Sequence, residues 1–418
     1  MKKQLLIILC FFLADNALCQ SLLPGKPGEN GISVERLGRV DQMINDQMSK
    51  KLIPGAVVMI VRNGKVLYNK AYGFSDLESQ AAMKTNDIFR MASQTKAITS
   101  LAVMMLFEEG KFLLDDPISQ YIPEFKNPRV LVNLNWADTT YTTTPAKSEI
   151  TIRQLLTHSS GLDYAGIGSQ EMRAIYAKAG ITAGVGDVKK NVLADKMKAL
   201  GGLPLKHNPG EAFTYGLNTD LLGYFVEVLS GMSLDQFFKT RIFQPLGMND
   251  TYFYLPKEKQ SRLVPLYTVN KGALEKTKSN AQSDMNYPLQ EGTYFSGGGG
   301  LSGTIEDYAK FLQLFINKGE FNGVRLLSRK TVELMLTNQL QPPITNQWGL
   351  GFELETVNSD YRRIASMGTF SWGGAFATDY WADPKEKLIG LIYTNMYGAP
   401  NRGRSAKFQV LTYQAIVD

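Results

Sequence analysis

The sequence predicts an α+β fold: one antiparallel β-sheet built from N- and C-terminal strands, flanked by helices, with a mainly helical region inserted between them. Three observations carry the prediction. β-rich runs cluster at the two ends of the chain, around 56–71 and 349–394. The middle instead carries Ser/Thr-x-x-Gln/Asp pairs ahead of runs with helical apolar spacing. The Asn63-Gly64 dipeptide joins the first two runs, and Asn-Gly is the strongest short hairpin signal. With 44% hydrophobic and 20% charged residues among 418, the chain has ordinary globular composition and enough apolar material for a large core.

Residues 1–19 read as an export signal. Lys2 and Lys3 precede an apolar run, Leu5 to Leu13, broken only by Cys10. Ala17 and Cys19 stand three and one before a cut between Cys19 and Gln20. A lipid anchor on Cys19 is the rival reading, but Leu18 and Asn16 fit that pattern poorly. The expectation is an exported protein, periplasmic or secreted. No later stretch approaches the roughly 20 apolar residues of a membrane span. Both cysteines belong to the leader or its edge, so the folded part has no thiol for a nucleophile, a disulfide or a metal.

Residues 20–33, rich in Pro and Gly over Leu22 to Ile32, are expected as a flexible arm, and 34–418 as one domain whose sheet comes from about 50–75 and 348–418. Val34 to Met48 has amphipathic helical spacing. Ala56 to Val61 and Lys65 to Ala71 are the strands of the Asn63-Gly64 hairpin. Thr151 with Gln154, Ser233 with Gln236 and Thr304 with Asp307 resemble capping boxes, and Ile305, Tyr308, Leu312 and Phe315 form a core-facing stripe. Gly349 to Thr356, Arg363 to Met367, Ala375 to Ala382 and Leu388 to Thr394 read as strands, and Ser405 to Ile416 as a closing helix. Lys126 to Ser148, Ala165 to Asp187 and Leu255 to Thr293 are too long for ordinary loops, and are expected to border a site or to hide short elements.

Several function classes are excluded. The formal charge of +6 falls by two for Lys2 and Lys3 and rises by one for Asp15, leaving +5. No run of five Lys or Arg occurs, so nucleic acid is not an expected partner. His158 and His207 lie 49 positions apart without ligand spacing, so neither a metal nor any other cofactor is expected. His158 reads as packing on the helix that Thr151 opens, and His207 as a loop residue. Gly297 to Gly300 lacks the Gly-Lys-Ser/Thr ending of a phosphate loop and reads as close backbone packing. No Gly-x-Ser-x-Gly elbow occurs.

One constellation carries chemistry. Ser93-Gln94-Thr95-Lys96 opens a helix-forming segment closed by Gly110, and a spacing of three puts Ser93 and Lys96 on one face. A serine hydroxyl needs a base, and lysine serves only if burial or nearby cations lower its pKa. At a helix start the Ser93 N–H is also available to a developing oxyanion. Tyr215 follows the turn at Pro209-Gly210 and is a candidate to accept and return a proton. Ser371-Trp372-Gly373-Gly374-Ala375 precedes a strand, where Gly373 and Gly374 permit close approach and the Ala375 N–H offers a second oxyanion donor.

These segments, with Leu155-Leu156-Thr157-His158-Ser159-Ser160-Gly161-Leu162 and Gly297 to Ser302, stand in an order that resembles the serine β-lactamase and penicillin-binding-protein superfamily, most of all its class C-related carboxylesterases. The similarity spans about Val34 to Thr394. It implies a β-lactamase/transpeptidase-like fold and an acyl-serine mechanism. Ser93 attacks, Lys96 and Tyr215 handle protons, and the Ser93 and Ala375 amides form the oxyanion hole. Two positions depart from the β-lactamases. Leu217 replaces the asparagine of Tyr-x-Asn, with Asn218 one step later, and Trp372 replaces the basic residue of Lys-Thr-Gly. Leu217, Trp372, Gly373 and Gly374 are the expected substrate-binding residues. A small-molecule ester or amide is the expected partner, with an esterase favoured over a β-lactamase, a D-amino-acid peptidase, or a covalent penicillin or cell-wall-fragment binder with little turnover.

Overall fold

The computed structural model describes residues 22–181, 184–185, 191–279, 284–398 and 403–418, so the leader at 1–19 lies outside the described residues. The central sheet contains β1 (Leu23–Pro24), β2 (Gly55–Arg62), β3 (Lys65–Asp76), β4 (Glu353–Leu354), β5 (Phe370–Gly374), β6 (Thr378–Asp383) and β7 (Leu388–Tyr393). Their order is β1-β3-β2-β7-β6-β5-β4, with Ala81–Ala82 annexed to β3 as an eighth strand. Only β1 beside β3 runs parallel. N- and C-terminal segments thus meet at the β2/β7 pair, where Ile60 faces Gly390 and Val57 faces Tyr393.

β2 is covered on both faces, which is why its Ala56 to Val61 run is apolar without alternation. Val57, Met59 and Val61 enter the larger core, while Ala56, Val58 and Ile60 enter a second one. The second core is closed by α1 (Val34–Ser49) and the C-terminal α6 (Arg404–Tyr413), through Val40, Ile44, Phe408 and Trp381. The larger core holds α2 (Thr95–Glu108), α3 (Ile152–Leu156), α4 (Asn218–Ser230) and α5 (Ile305–Ile316). Every residue of α2 from Thr95 to Leu106 is buried, so this helix has no polar face. Among the described residues no helix is long and apolar enough to cross a membrane.

Local signals act as their chemistry requires. Asn63 and Gly64 both take positive φ, +53° and +73°, as a two-residue primed turn demands. Thr151 and Gln154 form a complete capping box, and Ser233 and Thr304 accept from the Gln236 and Asp307 amides. The long irregular stretches hide short elements: hairpins Arg129–Leu134/Tyr141–Pro145 and Tyr267–Asn270/Ala273–Lys276, and a helix at Gln170–Lys178.

Three expectations are corrected. The described part of the arm, 22–33, is not loose. Leu23 pairs with Lys65, Ile32 bridges to Ile416, and the buried Arg62 guanidinium donates to the Asn30 and Gly31 carbonyls at 2.9 and 3.2 Å. Arg62 also pairs with Asp418 and Glu386, which ties both chain ends to the sheet. The segment 349–356 yields only the two residues of β4, because Gly349 and Gly351 turn the chain, Gly351 at φ +107°. Arg363 to Met367 is irregular, its Ser366 amide bonding the Asp383 carboxylate instead of a ladder. The strand lies further on, and the Ser-Trp-Gly-Gly motif is itself β5, paired from Phe370↔Ala382 to Gly374↔Thr378.

Candidate active site

Ser93 sits in a 3-10 turn, Ala92–Gln94, that runs into α2. It is the one residue between Asp87 and Leu106 that is not buried. The turn is held rigidly from below. Tyr308 Oη of α5 donates to the Gln94 carbonyl at 2.9 Å, and Tyr393 Oη of β7 donates to Gln94 Oε1 at 2.6 Å. Ala92 has φ +44°, a conformation that costs a non-glycine residue about 1 kcal/mol or more and survives only where surrounding structure imposes it. The strained turn presents Ser93 outward.

Lys96 is buried one helical turn on, pointing back at Ser93. Its Nζ lies 3.4 Å from Ser93 Oγ and 3.3 Å from Tyr164 Oη, and donates to the Gly298 carbonyl at 2.6 Å. It also stands over the Tyr215 ring, 4.7 Å from the centroid. Burial pushes the ammonium down, but the oxygens of Tyr164 and Tyr215 and the Asp220 carboxylate outweigh it, and the net shift is upward. The condition under which Lys96 is a neutral amine base is therefore not met in the resting site, and the lysine holds its charge.

Tyr215 stacks on Tyr164 at 5.6 Å and packs on Trp372 at 5.5 Å, with Trp372 Nε1 3.4 Å from Tyr215 Oη. Trp348 meets Trp372 edge-on at 4.7 Å. On β5, Gly374 is required by the protein itself. A Cβ there would lie 2.2 Å from the Met91 carbonyl oxygen and 2.4 Å from Thr378 Oγ1. A Cβ on Gly373 would strike Asp379 Oδ1 at 2.3 Å. The glycines let β5 lie against the turn that carries Ser93, and Ala375, exposed at the start of the β5–β6 turn, follows directly.

The structure thus brings Ser93, Lys96, Tyr215, Trp372, Gly373, Gly374 and Ala375 to one place. Leu217 does not join them. It is fully buried in the larger core, its N–H bonded to the Asp163 carbonyl at 3.2 Å, so the expectation that it binds substrate is wrong. Nor does Asn218 supply the amide one step later, since its side chain is buried against His158 Nδ1 at 3.0 Å and accepts from Ser160 Oγ. His158 is fully packed, its ring against Tyr215, Phe213 and Trp348. Burial first, then the Lys96 charge, hold its pKa well below the ordinary value, so it stays neutral. His207 bonds the Asn208 carbonyl and Thr214 Oγ1, each at 2.8 Å, in the loop leading to Tyr215.

The motifs do not single out Tyr164, Trp348 or the pair Asp220–Ser296. Tyr164 lies two residues beyond the Leu155–Leu162 motif, a proximity that was its only sequence signal. Asp220 is buried, accepts from Ser296 Oγ at 2.6 Å and has its pKa raised by burial. Gly297 to Gly300 gives backbone acceptors to α2, Gly297 O to Thr99 Oγ1 at 2.7 Å and Gly298 O to Lys96, and so is close packing with a direct part in placing the ammonium.

Residues 40–414 match the protein family described as Beta-lactamase. The chain is 29% identical over 378 residues to Esterase EstB of Burkholderia gladioli, covering 85% of this chain and 90% of that protein. It is 33% identical over 359 residues to an uncharacterised protein of Mycobacterium tuberculosis, covering 82% and 85%. Among solved structures, EstCE1, described as a hydrolase with promiscuous acyltransferase activity, superposes with a TM-score of 0.78 at 25% identity, over 91% of this chain and 99% of its own. Simvastatin synthase LovD from Aspergillus terreus shares the fold, with a TM-score of 0.75 at 24% identity over 90% and 98%.

Proposed function

The chain belongs to the β-lactamase family as an esterase-like serine hydrolase, and from that premise we propose that it is a carboxylesterase of neutral acyl esters working through an acyl-Ser93 intermediate. In this reading Tyr215, acting as a phenolate beside the Lys96 ammonium, takes the Ser93 proton as Oγ attacks the acyl carbon and becomes the phenol. The Ser93 and Ala375 N–H groups receive the developing oxyanion. Tyr215 returns the proton to the departing alcohol oxygen as the ester C–O bond breaks. Water then attacks the acyl-Ser93 ester, with the same groups moving the proton, and releases the carboxylic acid.

The observation that favours an ester is the aromatic wall at Trp372. An indole packed on Tyr215 and Trp348 occupies the place where a β-lactamase holds a substrate carboxylate with a cation. The burial of Leu217 and the inward turn of Asn218 remove a lactam side-chain contact as well. The test is kcat/KM for p-nitrophenyl acetate beside that for a penicillin, in wild type and Ser93→Ala. Ester turnover at least a hundredfold above penicillin turnover, abolished in Ser93→Ala, is expected. Equal or greater penicillin turnover sinks the esterase reading. We also propose export through residues 1–19, which predicts a mature N-terminus at Gln20 when the chain is secreted from a bacterial host and sequenced.

A further inference from the structure

A groove of about 740 Å³ opens beside Trp372, between loop 338–348 and the segment 353–363. That volume falls in the range of roughly 300–1,000 Å³ typical of sites that bury a drug-sized ligand. Gln347 Oε1 accepts from Thr356 Oγ1 at 2.7 Å and so ties the two walls together, while Asn338 Oδ1 accepts from the Trp348 N–H at 2.9 Å and closes the loop on itself. Phe213, Trp348 and Trp372 form its aromatic side, and all three belong to the cluster around Tyr215 and His158.

The site's geometry decides which half of an ester enters the groove. Tyr215 Oη lies beside Trp372 Nε1, and Trp372 lines the groove, so an alcohol oxygen protonated by Tyr215 departs on the side of the site that borders the groove. The other flank is apolar. Ala92 and Phe376, the neighbours of Ser93 and Ala375, cluster with Leu266 and Met285, and Val185 packs against them.

The groove's chemistry then identifies the alcohol. Arg363 is shared between Glu353 at 3.2 Å and Glu355 at 3.4 Å. With Arg362 the four side chains carry no net formal charge, so the groove does not select an ion. What it offers are hydrogen bonds. Gln341, Asn346 and Asn358 present exposed side-chain amides. Those of Gln341 and Asn346 make no hydrogen bond among the described residues. Arg362 forms no ion pair among the described residues and donates from Nε to Tyr361 Oη at 2.7 Å. Amides that both donate and accept, set beside aromatic faces, complement a ring with hydroxyls on its edge and C–H groups on its face.

We infer that the groove binds the alcohol part of the natural ester as a polyhydroxylated ring of mono- or disaccharide size, which makes the chain a deacylase of acylated sugars. The inference rests on the esterase reading. The bond from the acyl carbon to the sugar oxygen breaks as the Ser93 ester forms, the Tyr215 proton goes to the sugar oxygen, and water later frees the acid.

The full mature chain is assayed with p-nitrophenyl acetate, a mono-O-acetylated methyl glucoside, and cyclohexyl acetate as a ring without hydroxyls. The wild type is expected to favour the sugar ester over cyclohexyl acetate by at least about tenfold in kcat/KM, well inside the roughly 10⁴–10⁵ by which a site built to hydrogen-bond a hydroxyl rejects an analogue without it. A Gln341→Ala/Asn346→Ala variant, altered only at exposed loop positions, is expected to lose about tenfold of that preference through KM. As a folding check, its melting temperature must match wild type. Equal turnover of the two ring esters by a wild type that hydrolyses p-nitrophenyl acetate overturns the sugar inference and leaves the esterase reading standing, as does an unchanged preference in the folded variant. Absence of turnover of all three esters overturns both.

Discussion

Gly374→Ala tests whether β5 and the Ser93 turn are built as one unit. The added Cβ would stand 2.2 Å from the Met91 carbonyl oxygen and 2.4 Å from Thr378 Oγ1, against a floor of 3.0 Å for real Cβ contacts. Met91 O is backbone, in a segment buried on all sides, so no flexible side chain absorbs the clash. β5 must retreat by about 0.8 Å at the residue before Ala375, which moves the proposed oxyanion donor relative to Ser93. Misplacement on the 1 Å scale is worth about a hundredfold in rate, and overpacking a core site about 1–3 kcal/mol in stability. The assay is kcat/KM for p-nitrophenyl acetate beside urea denaturation, with Gly38→Ala as control. Gly38 lies within α1, a methyl group added there would meet nothing inside 4 Å, and the substitution is expected to gain about 0.5–1 kcal/mol with activity intact. A Gly374→Ala enzyme with wild-type activity would refute the argument that β5 positions the site.

Tyr164→Phe removes an oxygen 3.3 Å from Lys96 Nζ that helps keep the lysine charged. It should lower kcat/KM by about ten- to hundredfold and move the basic limb of the pH–rate profile to lower pH. An unaltered profile would mean that Tyr164 is only packing. His158 is neutral when folded and has an ordinary pKa when unfolded, so the unfolded chain binds the extra proton as pH falls below about 6.5. Stability present above that pH is then lost by about 1.4 kcal/mol per unit. Asp307 and Asp379, each pushed up to about 6 by burial, act in the opposite sense, so the readout is the difference in slope between wild type and His158→Gln in denaturation between pH 7 and 5. Equal slopes contradict the assignment. Arg62→Ala leaves the Asn30 and Gly31 carbonyls and two carboxylates without their shared partner, which should cost about 3 kcal/mol and open residues 22–33 to limited proteolysis. An arm as resistant as in wild type would show that Arg62 is not what holds 22–33 to the sheet.

Where local chemistry and global packing agree, the fold is legible from residues alone. Asn63-Gly64, the Thr151–Gln154 box and the apolar run Ala56 to Val61 of β2 each signal their element because turn, cap and double-sided burial demand those residue types. The arm misleads because Pro and Gly in 22–33 look loose, while the contacts that hold it come from Arg62, Ile416 and Asp418, far along the chain. The Trp-Gly-Gly motif hides a strand for the converse reason. Its glycines lower β propensity locally but are needed where β5 meets the Met91 carbonyl. In the site, the spacing of Ser93 and Lys96 signals their partnership because one helical turn brings them together. Tyr164 and Asp220 reach Lys96 only through tertiary packing, and Leu217 is in register with a motif position while its side chain faces the core.

The central claim is that Ser93, lifted from a buried helix start by the strained Ala92 turn, is the nucleophile. Intact-mass measurement after exposure to a fluorophosphonate, followed by peptide mapping, tests it directly. The account predicts one adduct per chain, placed on Ser93, with no adduct on Ser93→Ala. Labelling at another serine, or equal labelling of the variant, would contradict it.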